Sequence, residues 1–210
     1  MPKEKVPLIE LKEYLPPGSF DEVIKYIMHY KVHLTVSRRR ETILGDYRHA
    51  HQGKNHRISV NGNLNPYAFL ITLLHELAHL LTYERYGHRV QAHGAEWKAA
   101  FSQVLAQFLT QHIFPEDITA ALHKSLHNAA ASSCADERLM RTLRKYDTAV
   151  DHSIQLLEEL NLHSIFVIRN GRVFQKGEKI RKRFKCKELA TGKWYLFSPL
   201  FEVKMVNAPD

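Results

Sequence analysis

His75-Glu76-Leu77-Ala78-His79, set in the apolar run Phe69–Leu81, is the segment of this 210-residue chain best equipped for chemistry. On a helix of about 3.6 residues per turn, positions i and i+4 stand one above the other, so both imidazoles can reach one metal ion. Glu76 lies about 100° further round the same helix, where its carboxylate can take a proton from a water held by that metal. His75, His79, Thr72, Tyr83 and Glu76 share one sector, and Leu70, Leu73, Leu74, Leu77, Leu80 and Leu81 share the opposite one. The pattern predicts a helix with an apolar back and a titratable front. Two hydrogen-bonded core histidines are the plain alternative. Burying such groups without partners costs roughly 1–3 kcal/mol each, and a metal removes that cost by occupying imidazole lone pairs.

A catalytic zinc ordinarily has three protein ligands and one open position. One zinc-protease class places Gly and His three and six residues beyond the second histidine; Thr82 and Arg85 stand there, which excludes that class. Gly87 is a suitable helix terminator, and the remaining candidates beyond it are His88, His93 and Glu96. His88 follows the cap directly and reads as an exposed loop residue. His93 opens a new helical pattern continuing through Trp97, Ala100, Phe101, Val104, Leu105 and Phe108, and a first-turn imidazole can point across at the first helix. Gly94, without a Cβ, would let the two backbones approach. His93 is the preferred third ligand because imidazole is the commonest metal ligand. Glu96 is the reserve, as ligand, as orienter of an imidazole, or as a first-turn acid. Tyr83 and Tyr86 are candidate donors to a developing oxyanion, although core packing is their more ordinary role.

The elements that must position these residues form an α+β pattern. Ser19-Phe20-Asp21-Glu22 has the form of a capping box and starts a helix running to Tyr30. Val32–Val36, Thr42–Tyr47 and Arg57–Val60 read as three short strands, expected as an antiparallel meander packed on the active helix. Arg38-Arg39-Arg40 reads as the turn between two of them, with nucleic-acid contact as the lesser reading. Asn65 and Pro66 are a suitable N-cap and first-turn residue for the pentad helix. Further helices are expected from Pro115 to His127 and from Cys134 to Tyr146, joined by the small-residue connector 128–133.

The tail reads as paired strands. Phe166–Arg169 and Arg172–Gln175 flank Asn170-Gly171, a two-residue hairpin signal; Arg183–Leu189 and Lys193–Phe197 flank Thr191-Gly192; Phe201–Val206 alternates as a last strand. Phe166, Phe174, Phe184, Trp194, Tyr195, Phe197 and Phe201 are its expected aromatic core. Two domains follow, 1–150 and 151–210. Residues 163–210 hold 11 Lys and Arg against 4 Asp and Glu, so +7 of the chain's net +8 sits in the tail. Lys176, Lys179, Arg181, Lys182, Arg183, Lys185 and Lys187 dominate it. Such a basic, aromatic β module fits a phosphate-backbone dock, and fits equally a solvated edge kept from unwanted pairing. The amino terminus, Met-Pro-Lys-Glu-Lys, lacks an apolar signal region, and the isolated Cys134 and Cys186 fit a reducing compartment. A cytoplasmic protein without membrane association is expected; nothing in the sequence indicates an oligomeric state.

Taken together, the HELAH helix, the short loop and the His-Gly-x-x-Trp segment (His93 to Trp97) resemble the SprT-like metalloproteases, the family that includes Spartan. Leu44-Gly45-Asp46-Tyr47, Arg57–Val60 and Asn65-Pro66 also fit, so the resemblance spans about residues 15–112. It implies a zincin-like protease core, one catalytic zinc ion bound by His75, His79 and His93, and Glu76 as general base and acid in peptide-bond hydrolysis. It also implies a protein substrate, DNA-associated in the Spartan type. Many family members carry a C-terminal zinc ribbon with two Cys-x-x-Cys knuckles. This chain has two cysteines in all, so the tail is expected to resemble such a ribbon without its metal. Two other readings stay open: a non-catalytic nucleic-acid-binding protein braced by a structural zinc, and a zinc hydrolase of a non-peptide substrate.

Overall fold

The computed structural model describes residues 9–40, 43–127, 136–148 and 153–206. Thr42, Cys134, the connector 128–133 and the amino-terminal pentapeptide lie outside the described residues. The chain divides into two compact units, Met1–Asp147 and Thr148–Asp210. Among the described residues the whole is mixed α+β, with five α-helices and two sheets. No described helix is long and apolar enough to cross a membrane.

In the first unit, helix α1 (Phe20–His29) precedes strands β1 (His33–Ser37), β2 (Gly45–Arg48) and β3 (Arg57–Asn61). The capping box expected at Ser19 is not formed. Ser19 already has helical dihedrals, its hydroxyl donates to the Pro16 carbonyl at 2.8 Å, and Glu22 pairs with Lys25 at 2.7 Å. The meander is also replaced, by a mixed sheet of order β1-β3-β2, in which β3 runs parallel to β1 and antiparallel to β2. The physical reason lies in β3. Ile58, Ser59, Val60 and Asn61 are all buried, so β3 belongs in the centre, while polar β2 suits an edge. Arg40, in the β1–β2 connection, makes that order workable by saturating the polar groups of β3. Its guanidinium donates to Asn61 Oδ1 (2.7 Å), to Ser59 Oγ (2.9 Å) and to the Ser59 carbonyl (3.2 Å). Arg40 is therefore a clamp within the sheet.

Helix α2 (Pro66–Tyr86) begins where Asn65 Oδ1 accepts the Ala68 amide at 3.0 Å and ends at Gly87, whose positive φ closes the last turn. The expected titratable front is not a solvent face. Thr72, His75 and Glu76 are buried along with Leu70, Leu73, Leu74, Leu77 and Leu80, because α2 is packed on nearly all sides. Helix α3 (Ala95–Leu109) lays Trp97, Phe101, Val104, Leu105 and Phe108 into the same core, and Ile58 and Val60 reach it from the sheet. Each such fully buried apolar side chain stabilises by about 1.5–3 kcal/mol relative to exposure. Helices α4 (Glu116–His127) and α5 (Glu137–Arg144) complete the unit. The Asn65 amide ties α2 to the end of α5, donating to the Leu143 carbonyl at 2.9 Å and to Asp147 at 2.7 Å.

The second unit is one antiparallel sheet of order β4-β9-β5-β6-β7-β8, built from β4 (Gln155–Leu156), β5 (Ile165–Val167), β6 (Val173–Ile180), β7 (Arg183–Glu188), β8 (Trp194–Phe197) and β9 (Glu202–Met205). Its core is Leu157, Leu160, Phe166, Phe174, Cys186 and Val203, with Phe184, Tyr195 and Phe197 partly buried against it. Two expected core aromatics lie outside it: Trp194 is 54% exposed and Phe201 38%. Strand alternation explains Trp194, which points to the face opposite partly buried Tyr195. The β5–β6 connection is longer than the expected two residues. The Gly171 amide bonds the Ile168 carbonyl, and the strands pair only from Val167 and Val173, so Gly171 uses its positive φ to end the turn.

Candidate metal centre

His75 and His79 are held one turn apart by α2, with rings 5.0 Å apart. His93 is not in the first turn of the next helix, as expected, but two residues before Ala95, with φ +60. It is placed by a tight turn in which the Gly94 amide donates to the Gln91 carbonyl at 3.0 Å. A Cβ on Gly94 would meet that same carbonyl oxygen at 3.0 Å and the Glu96 carboxylate at 3.2 Å. Gly94 thus serves its own turn rather than an approach of two helix backbones. Trp97, 1% exposed, lies under all three imidazoles, at 4.6 Å from His75, 5.3 Å from His79 and 4.7 Å from His93, and is itself stacked on Phe101.

The three Nε2 atoms converge. His75–His79 is 3.2 Å, His79–His93 3.1 Å and His75–His93 3.0 Å. No choice of tautomers makes all three contacts favourable, since each neutral ring has one donor and one acceptor nitrogen. Three nitrogens about 2.0–2.1 Å from one tetrahedral zinc stand about 3.3 Å apart, close to what is found here. Among the described residues this is the group of His, Cys, Asp and Glu that could hold a metal ion. Burial, then His79 and His93, lowers the His75 pKa to about 3; burial, then His93, lowers the His79 pKa to about 4; and burial lowers His93 as well. All three rings are therefore neutral at pH 7, the form that binds metal.

Glu76 is 6% exposed. Burial, then Asp46, raises its pKa to about 8, and Arg40 opposes the rise. Its carboxylate lies against the backbone of β2 at Gly45. A Cβ there would collide with Glu76 Oε1 and would come within 2.8 Å of both Glu76 Cγ and Thr72 Cγ2. Gly45 is thus needed for the carboxylate to occupy this place.

Of the other sequence candidates, Glu96 is outside the metal group, and His88 packs instead on His49 and Tyr83. Tyr83 stacks on His49, and Tyr86 lies under the Arg85 guanidinium. The tyrosine against the triad is Tyr47, parallel to His79 at 6.5 Å. Its hydroxyl meets His56 Nδ1 at 2.9 Å, and His56 Nε2 meets Glu84 at 3.2 Å. This Tyr–His–Glu chain, Arg40, Gly45 and Trp97 were all missed as site residues. Trp97 had a local signal, four positions after His93, and Gly45 and Tyr47 stood in a quoted motif without a role; Arg40, Gly45, Tyr47 and His56 come from segments that the mixed sheet brings to α2, and Glu84 is on α2 itself.

The basic residues of the second unit do not form one patch. Cross-strand pairing puts Arg183, Lys185 and Lys187 on the same sheet face as Trp194 and Leu196, with Lys185 Nζ 4.7 Å above the Trp194 ring. Arg181 and Lys182 are at the β6–β7 hairpin tip, and exposed Lys179 pairs with Phe184 on the other face. Lys176 is buried, donating to the Leu160 carbonyl at 2.5 Å and the Glu158 carbonyl at 3.4 Å. It is therefore a core cation and no part of a surface dock.

The sequence model of the SprT-like family matches residues 20–120. This stretch, which contains the whole histidine group and Glu76, is similar to the SprT-like family. That match points to a metalloprotease-type domain, and the three-histidine group is compatible with one. No solved structure matches the chain significantly.

Proposed function

We propose that this protein is a zinc-dependent metalloendopeptidase with a zincin-like core, His75, His79 and His93 holding one zinc ion and Glu76 acting as general base and acid. The convergence of three neutral Nε2 atoms beside a buried carboxylate carries this reading. When bound, zinc supplies Lewis acidity, acidifying a water molecule and polarising the scissile carbonyl. Glu76 accepts the proton of the attacking water on its carboxylate and delivers it to the leaving amine nitrogen. Burial and Asp46 raise this carboxyl above its ordinary range, which helps it keep the proton it passes on, while a bound cation would oppose that rise. Gly45 keeps that carboxylate in place, and Arg40 limits the rise of its pKa. Strand β2 is at the edge of its sheet, so an extended peptide has main-chain partners beside Glu76.

The partner reading adds DNA-associated proteins as substrates and the metal-free, ribbon-like second unit as a nucleic-acid dock. Arg183, Lys185 and Lys187 on one face with exposed Trp194 support it, since phosphate contacts and base stacking need cations and an aromatic together. Arg181, Lys182 and Lys179 contribute charge around the hairpin tip.

The test is Glu76→Gln. Cleavage of an unfolded protein substrate should fall by about 10²–10⁴-fold while zinc content stays at wild-type level. Undiminished cleavage by the zinc-loaded variant would reject the assigned base. A wild-type protein that hydrolyses small substrates and never peptides would favour the non-peptide hydrolase, and loss of function only on changing Lys185 and Lys187 would favour the non-catalytic nucleic-acid binder.

A further inference from the structure

Three flat rings lie nearly parallel beside the metal centre. The Tyr47 ring is 4° from the plane of His79, with centroids 6.5 Å apart, and 15° from that of His56 at 5.9 Å. Both separations fall within the range of interacting ring pairs, about 4.5–7 Å. The Tyr47 hydroxyl stands 2.9 Å from His56 Nδ1, and the Ala50 amide reaches the same nitrogen at 3.3 Å. An amide can only donate, so Nδ1 is an acceptor and the Tyr47 hydroxyl donates to it. The one ring hydrogen of neutral His56 is then on Nε2, which meets the Glu84 carboxylate at 3.2 Å. His56 is itself buried, and its backbone carbonyl accepts from the His33 amide at 2.7 Å. The middle of the chain is thus fixed to the start of β1, and its far end to α2.

The three imidazoles of the triad are held differently. His75 is buried against Trp97 and Phe101, and His93 meets Trp97 edge-on from its tight turn. His79 is half-buried, and the ring lying parallel to it is that of Tyr47. An imidazole free to turn must be ordered when it binds a metal, which costs affinity; one ordered in advance does not incur that cost. Gly45 and Tyr47 are two apart on β2 and so face the same way, Gly45 against Glu76 and Tyr47 against His79. On the reading of His75, His79 and His93 as zinc ligands, we propose that Tyr47, held through its hydroxyl by His56 and Glu84, is a positioning residue that sets the plane of the His79 ring before the metal binds. Its hydroxyl is committed to His56, so Tyr47 acts through His79 and not on substrate.

The experiment compares Tyr47→Phe, which keeps the ring and removes its tether, with wild type as full-length protein. Zinc affinity, read by competition with a chromogenic chelator, should fall about three- to tenfold, the worth of one side chain ordered in advance. The visible absorption band of the cobalt(II)-loaded protein, which reports ligand geometry, should shift or broaden. Glu84 is exposed and can be changed without disturbing the core. Glu84→Leu should move the band in the same direction, whereas Glu84→Gln, which keeps an acceptor oxygen, should match wild type. Tyr47→Phe protein with wild-type zinc affinity and an unmoved cobalt band would overturn the proposal, even if its metal-free melting temperature fell, since the chain would then serve the fold alone. Identical behaviour of Glu84→Leu and Glu84→Gln would overturn it too. A wild-type protein that takes up neither zinc nor cobalt rejects the metal site itself, whereas a loaded wild type beside an unaltered Tyr47→Phe rejects only the positioning role.

Discussion

Each unit of this protein buries charged or titratable groups, and the two treat them in opposite ways. In the second unit Lys176 and Glu188 are 4% and 5% exposed. Lys176 donates to two carbonyls, while Glu188 accepts from Arg172 at 2.6 Å and from Thr191. Their hydrogen-bonding demands are met, so burial there is structural. In the first unit His75 and Glu76 are each 6% exposed, yet three Nε2 atoms point at one another in a triangle no proton arrangement satisfies. Burial alone does not mark chemistry. Burial that aims lone pairs at a common point does, because only a shared cation answers all of them.

The largest effect should come from breaking that triangle. His75→Ala is expected to weaken zinc retention by well over about a hundredfold, since even an outer-shell partner of a ligand is worth about 10–100-fold. Competition with a chelator measures it. Phe174→Ala, at the centre of the second unit's core, should cost about 3–5 kcal/mol of stability while zinc affinity is unchanged. Denaturant unfolding with parallel metal analysis separates the two readouts.

The metal-free protein should also show its buried groups in a pH profile. Unfolded histidine takes up a proton near 6.5, whereas folded His75 and His79 resist to about 3 and 4, so stability is lost as pH falls below 6.5. Glu76 acts in the opposite sense. Its unfolded carboxyl ionises near 4.5 and its folded one near 8, so it removes stability as pH rises between those values. Below 6.5 two histidines outweigh one carboxylate; above it only Glu76 still changes. Thermal melts of chelator-treated protein should peak near pH 6.5, and Glu76→Gln should lose the alkaline decline while keeping the acid one. The smallest effect is expected from Lys176→Met, about 1–3 kcal/mol from removing the buried ammonium that donates to the Leu160 and Glu158 carbonyls, with metal binding untouched. A change in zinc affinity in that variant would undo the contrast between the units.

Local signals were legible wherever neighbours in sequence settle the matter. Asn65 and Gly87 bound α2 as their types require, and the strand pairs around Gly171 and Gly192 form. Legibility failed where two local options compete. Ser19 chose the Pro16 carbonyl over a capping box, and β3 chose the centre of a mixed sheet over a meander. Lys176 and Trp194 exchanged their expected places, the cation entering the core and the indole leaving it. Alternation along a strand says which residues share a face, and long-range packing says which face is covered.

What the sequence determined by itself was the spacing of His75, Glu76 and His79, because helix periodicity is a property of the backbone. It also offered His93 as the best third ligand on residue type. Only the tertiary structure brought the His93 ring to the other two, through a positive-φ turn and the Trp97 platform. It likewise decided that Gly45, Arg40 and Tyr47 would surround the site, since the order of strands depends on which of them buries most deeply. Distances along a chain are set by covalent geometry; convergence between segments is set by the core they jointly exclude from water.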